Sequence, residues 1–183
     1  LVTKFQTFGP YELPRKGGIS NVDCLKEMWL SINEIEQDGI AERLKRAIGV
    51  YIVVREIGKN SKPWYVGKTY SGFNSRFRQH LKGKVFGGIE KIPKGGKVKI
   101  FLLVRGSTKT GKFKTRVKRG KTVKSIDILE FMLIGSCQKL NPDLLNTSQA
   151  AFHRGFQIPG YMNDKKSKRN PAAKELAIAL RVK

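Results

Sequence analysis

The sequence predicts an α/β protein: a small three-stranded, mainly antiparallel sheet flanked by helices, with a helical N-terminal extension and a basic C-terminal tail. Three observations predict it. Short β-branched and aromatic runs occur at residues 49–55, 64–67 and 98–104, set off by glycine- and polar-rich turns. Apolar residues elsewhere recur at the three- and four-residue spacing of a helix face. An apolar fraction of 39% in 183 residues is enough for one packed core and argues against wholesale disorder.

Residues 1–20 read as an irregular arm, because Gly9, Pro10, Pro14, Gly17 and Gly18 interrupt it. Leu25, Met28, Trp29, Ile32 and Ile35 then fall at helical spacing. Ser20, Asn21 or Asp23 can cap that helix, and Asp38-Gly39 ends it. A shorter helix is expected over 40–47. The strand at 49–55 and the one at 64–67 flank Gly58-Lys59-Asn60-Ser61, which makes the pair an antiparallel hairpin. Phe73, Phe77 and Leu81 mark a helical stripe after it. A glycine-rich basic loop over 82–96 leads to a central strand at 98–104. Asp127 opens an apolar helix that Asn141-Pro142 stops, and Asn170-Pro171 is expected to start a terminal helix through Leu180.

Charge supplies the first functional constraint. Lys and Arg number 37 against 14 acidic residues, a net +23. A compact chain so charged repels itself, and a polyanion relieves that repulsion. Nucleic acid is the expected partner. No apolar run approaches the roughly 20 residues of a membrane span, and the opening residues do not read as a secretory signal. Two cysteines, Cys24 and Cys137, exclude a disulfide scaffold and a cysteine-based zinc site, and two histidines, His80 and His153, exclude a multi-histidine cage. A reduced, cytoplasmic setting is the default expectation. Residues 105–124 contain no acid, and within them Lys112, Lys114, Arg116 and Lys118 alternate with Phe113, Thr115 and Val117. Period two places those cations on one face of a ribbon, which Arg119 and Lys121 thicken into a phosphate-tracking patch. A solvated edge strand guarded by lysines is the plainer alternative.

A few residues stand out chemically. Glu130 is a carboxylate among Leu129, Phe131, Leu133 and Ile134, costly to bury unless it is paired or holds a cation. It also stands at capping-box spacing from Asp127, and spacing alone leaves the two readings even. Arg76 and His80 share a helix face at i, i+4; the first suits phosphate and the second proton transfer. Tyr51 and Tyr65 lie on neighbouring strands, where their hydroxyls converge if they share a face. Lys68 follows the second strand and is expected to lower the pKa of a nearby phenol.

Gly49-Val50-Tyr51 and Tyr65-Val66-Gly67 resemble the paired signature of the GIY-YIG nuclease superfamily. Arg76, His80, Glu130 and Asn146 follow in the family's order on elements of the expected type. The resemblance covers residues 47–148, between an extension over 1–46 and a tail over 149–183. Two departures are a spacing of thirteen residues between Tyr51 and Tyr65, a little more than usual, and a longer stretch between Arg76 and Glu130. The resemblance implies a metal-dependent DNA endonuclease acting on double-stranded DNA, in a family that includes homing, restriction and repair enzymes; the lack of an obvious sequence-reading module after Asn146 favours a restriction or mobile-element type. It implies Mg²⁺ (or Mn²⁺) on Glu130 and phosphate binding by Arg76. Tyr51 would be the general base, helped by Lys68 or His80, with His80 the alternative base. Tyr65 would orient the water or phosphate, and Asn146 would position its neighbours. The alternative is a non-catalytic nucleic-acid-binding module on the same fold.

Overall fold

The computed structural model describes residues 3–17, 20–36, 39–82, 95–106, 112–115, 117, 120–146, 171–172 and 175. The chain divides into two compact units, Leu1–Asn146 and Thr147–Lys183. In the second unit Pro171, Ala172 and Glu175 are helical, and the rest of the expected tail and terminal helix, with His153, lies outside the described residues.

The first unit runs β1 (Phe5–Leu13), α1 (Val22–Ile35), α2 (Ile40–Arg46), β2 (Gly49–Ile57), β3 (Asn60–Thr69), α3 (Phe73–Lys82), β4 (Lys97–Arg105) and α4 (Lys124–Leu140). The strands form an open sheet in the order β1-β4-β2-β3, and each neighbouring pair is antiparallel. The sheet therefore has four strands where the sequence predicts three. The added strand is the segment read as an arm. Phe5–Leu13 pairs with β4 from Phe5↔Arg105 to Leu13↔Val98, and its register slips between Phe8 and Tyr11. Gly9 and Pro10 sit in that slip. Gly9 takes φ +100°, and a Cβ there would stand 2.6 Å from the Ile100 carbonyl oxygen. Breakers are tolerated because β1 is an edge strand, where a bulge and a missing N–H cost no interior ladder bond.

The β2–β3 hairpin is longer than the apolar runs suggest. It is closed by Gly58 and Lys59 between Ile57 and Asn60, with Gly58 at φ +57° supplying the left-handed turn conformation. Pro63 lies beside a register shift on the outer strand. The loop after α4 fastens the outer edge of β3. The Asn141 side chain donates to the Pro63 carbonyl at 2.7 Å, and the Leu145 N–H donates to the Trp64 carbonyl at 2.9 Å. Asn146 accepts from the Val66 N–H at 2.9 Å and donates to the Val66 carbonyl at 2.6 Å.

Strand alternation divides the core. On one face Tyr51, Val53, Val98, Ile100, Leu102 and Val104 pack with Leu25, Met28, Trp29, Leu44, Phe73 and Phe77 from α1, α2 and α3. On the other, Val50 and Val66 pack with Ile126, Ile134 and Cys137 of α4. Asn21 caps α1, its side-chain oxygen accepting from the backbone of Asp23 and Cys24. Ile35, expected on the buried stripe, is exposed. The start of α4 also differs from expectation: Val123 takes the cap position without a side-chain bond, and Asp127 lies within the helix. Both cysteines are free and buried. Of the ribbon, Phe113 bridges to Gly106 and Thr115 to Ala47, while Phe113 packs edge-on to Phe8 at 5.4 Å. No described helix is long and apolar enough to cross a membrane.

Gly49 is required by close approach: a Cβ would stand 2.0 Å from the Leu103 carbonyl oxygen of β4. Gly49→Ala forces β2 and β4 apart and is expected to destabilise the fold by about 1–3 kcal/mol, the ordinary range of overpacking. Urea midpoints check this; an unchanged midpoint would contradict the tight β2–β4 contact.

Candidate active site

Two clusters of functional side chains lie against β3. In the first, Tyr51 and Gly67 face each other across the hairpin. A Cβ at Gly67 would be 2.4 Å from the Tyr51 Cζ and hydroxyl, so the glycine leaves the room that the phenol fills. Tyr65, opposite Val53, belongs to the same face, and its ring centroid lies 6.0 Å from that of Tyr51. Tyr51 also packs edge-on against Phe77 at 5.0 Å. Helix α3, whose apolar stripe docks here, brings Arg76 and His80 to the same place. The Tyr51 hydroxyl is hydrogen-bonded to His80 Nε2, and the Tyr65 and His80 rings are 5.9 Å apart.

Burial governs the electrostatics of this cluster. It pushes the Tyr51 phenol well above its ordinary pKa; the Tyr65 hydroxyl adds to the rise, and the charge and hydrogen bond of Arg76 offset part of it. Tyr65, half-buried, is raised by desolvation too, with Arg76 pulling down and the Glu130 charge pushing up. His80 is pulled from 6.5 down to about 3, first by burial and then by the Arg76 guanidinium. Tyr51 is fully buried and Tyr65 partly exposed, so Tyr65 is the outer phenol and Tyr51 lies behind it. The buried Arg76 Nε has no hydrogen-bond partner among the described residues, a donor that an anionic oxygen would satisfy.

The second cluster lies on the α4 side. Lys68 pairs with Val50 across the hairpin and so projects to the opposite face from Tyr51. Its Nζ is 2.6 Å from Asp127 Oδ1 and 2.8 Å from Glu130 Oε2. The Tyr70 hydroxyl also donates to Asp127 Oδ1. Burial pulls the Lys68 ammonium down, but the bonds to Asp127 and Glu130 outweigh it and hold the pKa above its ordinary value. Burial opposes ionisation of Asp127 as well, yet Lys68 and Tyr70 leave its carboxyl below the usual range. Tyr70 is pushed up to about 12 by burial and by its bond to Asp127.

These contacts correct three expectations. Asp127 and Glu130 form no capping box, since both carboxylates turn to Lys68. Lys68 faces Tyr70, where the sequence reading sets it beside a catalytic phenol. Tyr51, expected to be an activated base, is made harder to ionise by its burial. Asn146 holds the backbone of Val66, next to Gly67. The two clusters arise on opposite faces of the sheet, and their electrical contact runs from Glu130 to Tyr65 beside the edge strand β3. Tyr70 and Asp127 are the members that sequence reasoning missed; the available signal was their spacing, two residues after Lys68 and three before Glu130. In the basic ribbon Lys112, Lys114 and Lys121 are exposed, whereas Arg116, Lys118 and Arg119 lie outside the described residues.

Glu130 is 7% exposed and carries a cation, the Lys68 ammonium, at hydrogen-bond distance. A carboxylate is a hard oxygen donor suited to a hard divalent ion, which would take the oxygen now paired with the Lys68 ammonium. Among the described residues no three His, Cys, Asp or Glu side chains group together as a metal cage, so such an ion would take the rest of its shell from water and substrate, as magnesium does. Compared with protein-family models, curated proteins and solved structures, the chain matches none.

The depressed His80 pKa fixes a pH dependence. His80 is neutral in the fold, while the unfolded chain takes up its proton below pH 6.5. Between about pH 6.5 and 3 the unfolded state therefore binds more protons, and stability falls as pH drops through that window. The loss attributable to His80 is on the order of a few kcal/mol. Urea titrations at stepped pH measure it, and His80→Gln removes that part of the slope. NMR gives the second check: the His80 ring shows no titration between pH 5 and 8.

Proposed function

We propose that the chain is a metal-dependent DNA endonuclease of GIY-YIG type. The observation that carries the reading is the meeting of Tyr51, Tyr65, Arg76 and His80, distant in sequence, in one hydrogen-bonded and charge-coupled cluster. Support also comes from Glu130, whose charge is felt at Tyr65. A pure polyanion binder has no use for a buried carboxylate beside its phosphate contacts.

In this reading Arg76 grips a non-bridging phosphate oxygen and stabilises the charge that builds there. Tyr65, the outer phenol, meets the attacking water. The water proton passes to the Tyr65 oxygen, the Tyr65 proton to Tyr51, and the Tyr51 proton to His80 Nε2, which frees a hydroxide to attack phosphorus. His80 is a poor acceptor at rest because of burial and Arg76. A phosphate on Arg76 cancels the second cause, so substrate binding raises the basicity of the acceptor. Glu130 would hold Mg²⁺ or Mn²⁺, which when bound supplies charge neutralisation at the scissile phosphate and at the leaving oxygen. Asn146 keeps β3 in place beside Gly67. The exposed Lys112, Lys114 and Lys121 track the backbone of the duplex.

Plasmid nicking tests the reading. Wild type is expected to nick supercoiled DNA with Mg²⁺ and to stop on addition of chelator. Arg76→Ala and Glu130→Ala are each expected to lose at least about a hundredfold in rate, the scale of removing one electrostatic contact to the transition state. Tight, salt-sensitive binding without cleavage under any divalent ion would instead identify a non-catalytic nucleic-acid-binding module.

A further inference from the structure

Lys68 is shared unequally by two carboxylates. Glu130 is the inner one, its side chain 9% exposed, while the side chains of Lys68 and Asp127 are 30% and 35% exposed. Glu130 Oε2 lies 2.8 Å from the ammonium. Asp127 Oδ1 lies nearer, at 2.6 Å, and also accepts from Tyr70. The outer carboxylate is thus fixed in place by a neutral donor. A divalent ion and an ammonium cannot both sit in contact with one buried carboxylate without strong mutual repulsion. The lysine stem is flexible; rotation near its end can break the contact to Glu130 while keeping the one to Asp127.

We propose that Lys68 is a built-in competitor for the divalent ion at Glu130, and that Asp127, steadied by Tyr70, is the outer berth that retains the ammonium when the ion enters. This rests on the reading of Glu130 as the metal-binding residue. Without the ion, Lys68 neutralises Glu130 and keeps a buried charge from standing alone, which would be costly. With it, the displaced ammonium stays at the mouth of the site. Lys68 and Asp127 are positioning residues in this scheme and set how readily the metal loads. The competition follows from the contact itself, an ammonium 2.8 Å from the carboxylate oxygen that the ion would take.

The test is Mn²⁺ binding to the whole 183-residue chain without DNA, read from the loss of the free Mn²⁺ signal in electron paramagnetic resonance. Lys68→Gln, which keeps a donor but no charge, is expected to bind Mn²⁺ about tenfold tighter, the effect of one lost ion-pair competitor. Lys68→Met, read beside it, should shift the same way. Asp127→Asn is expected to bind about tenfold more weakly, because the ammonium then has only Glu130. In the Lys68→Gln background the same Asp127→Asn change should cost far less than tenfold, only the carboxylate's own attraction for the ion remaining. A full tenfold loss that persists in the double variant overturns the proposal. Unchanged affinity in both Lys68 variants, with circular dichroism showing intact folds, also overturns it. Glu130→Gln separates the two layers. Wild-type Mn²⁺ affinity in that variant refutes the metal assignment itself, whereas lost binding with no gain in the Lys68 variants refutes the competition alone.

Discussion

The Tyr51 ring occupies the space that a side chain at position 67 would need, and the rest of the site depends on this exchange. Gly67 gives up its Cβ so that a phenol can lie flat over β3. The ring in turn gives α3 a surface to dock on, through Phe73 and Phe77. That docking carries Arg76 and His80 to the hydroxyls. Gly49 performs a similar service at the other seam, letting β2 close against β4. The tripeptides Gly49-Val50-Tyr51 and Tyr65-Val66-Gly67 are in this sense packing devices first, and any chemistry is built on the geometry they impose.

Burial gives the site its electrical character. It keeps the inner phenol protonated and the imidazole neutral, so the first cluster holds neutral hydrogen-bonding groups beside one cation, Arg76. The second cluster balances two carboxylates against one ammonium. Among the described residues further positive charge lies elsewhere, in exposed side chains such as Lys112 and Lys114. This separation suits a polyanion, which meets a broad field at long range and a few directed donors at contact.

The hairpin and the helices were legible in the sequence because β-branched runs and helical periodicity survive without knowledge of partners. Asn21 was among the residues read as the cap of α1 and serves as its cap. The strand β1 was not legible: Gly9 and Pro10 signal a break, and only the finished edge of β4 makes Phe5–Leu13 a strand. Tyr51, Tyr65, Arg76 and His80 were recognisable as a set from their order. Their roles were not, since order says nothing of depth, and depth decides which phenol meets water. Lys68 misled for the same reason. A cation near three tyrosines can serve any of them, and the one it faces is Tyr70.

The two margins of the sheet are both spoiled for strand addition. Along β1 the slip at Phe8 and Tyr11 interrupts the outer row of backbone groups. Along β3 the asparagine-bearing loop occupies the groups of Pro63, Trp64 and Val66. Among the described residues neither outer strand offers an uninterrupted template for β-augmentation, and the asparagines that hold β3 in place are the same ones that occupy its edge.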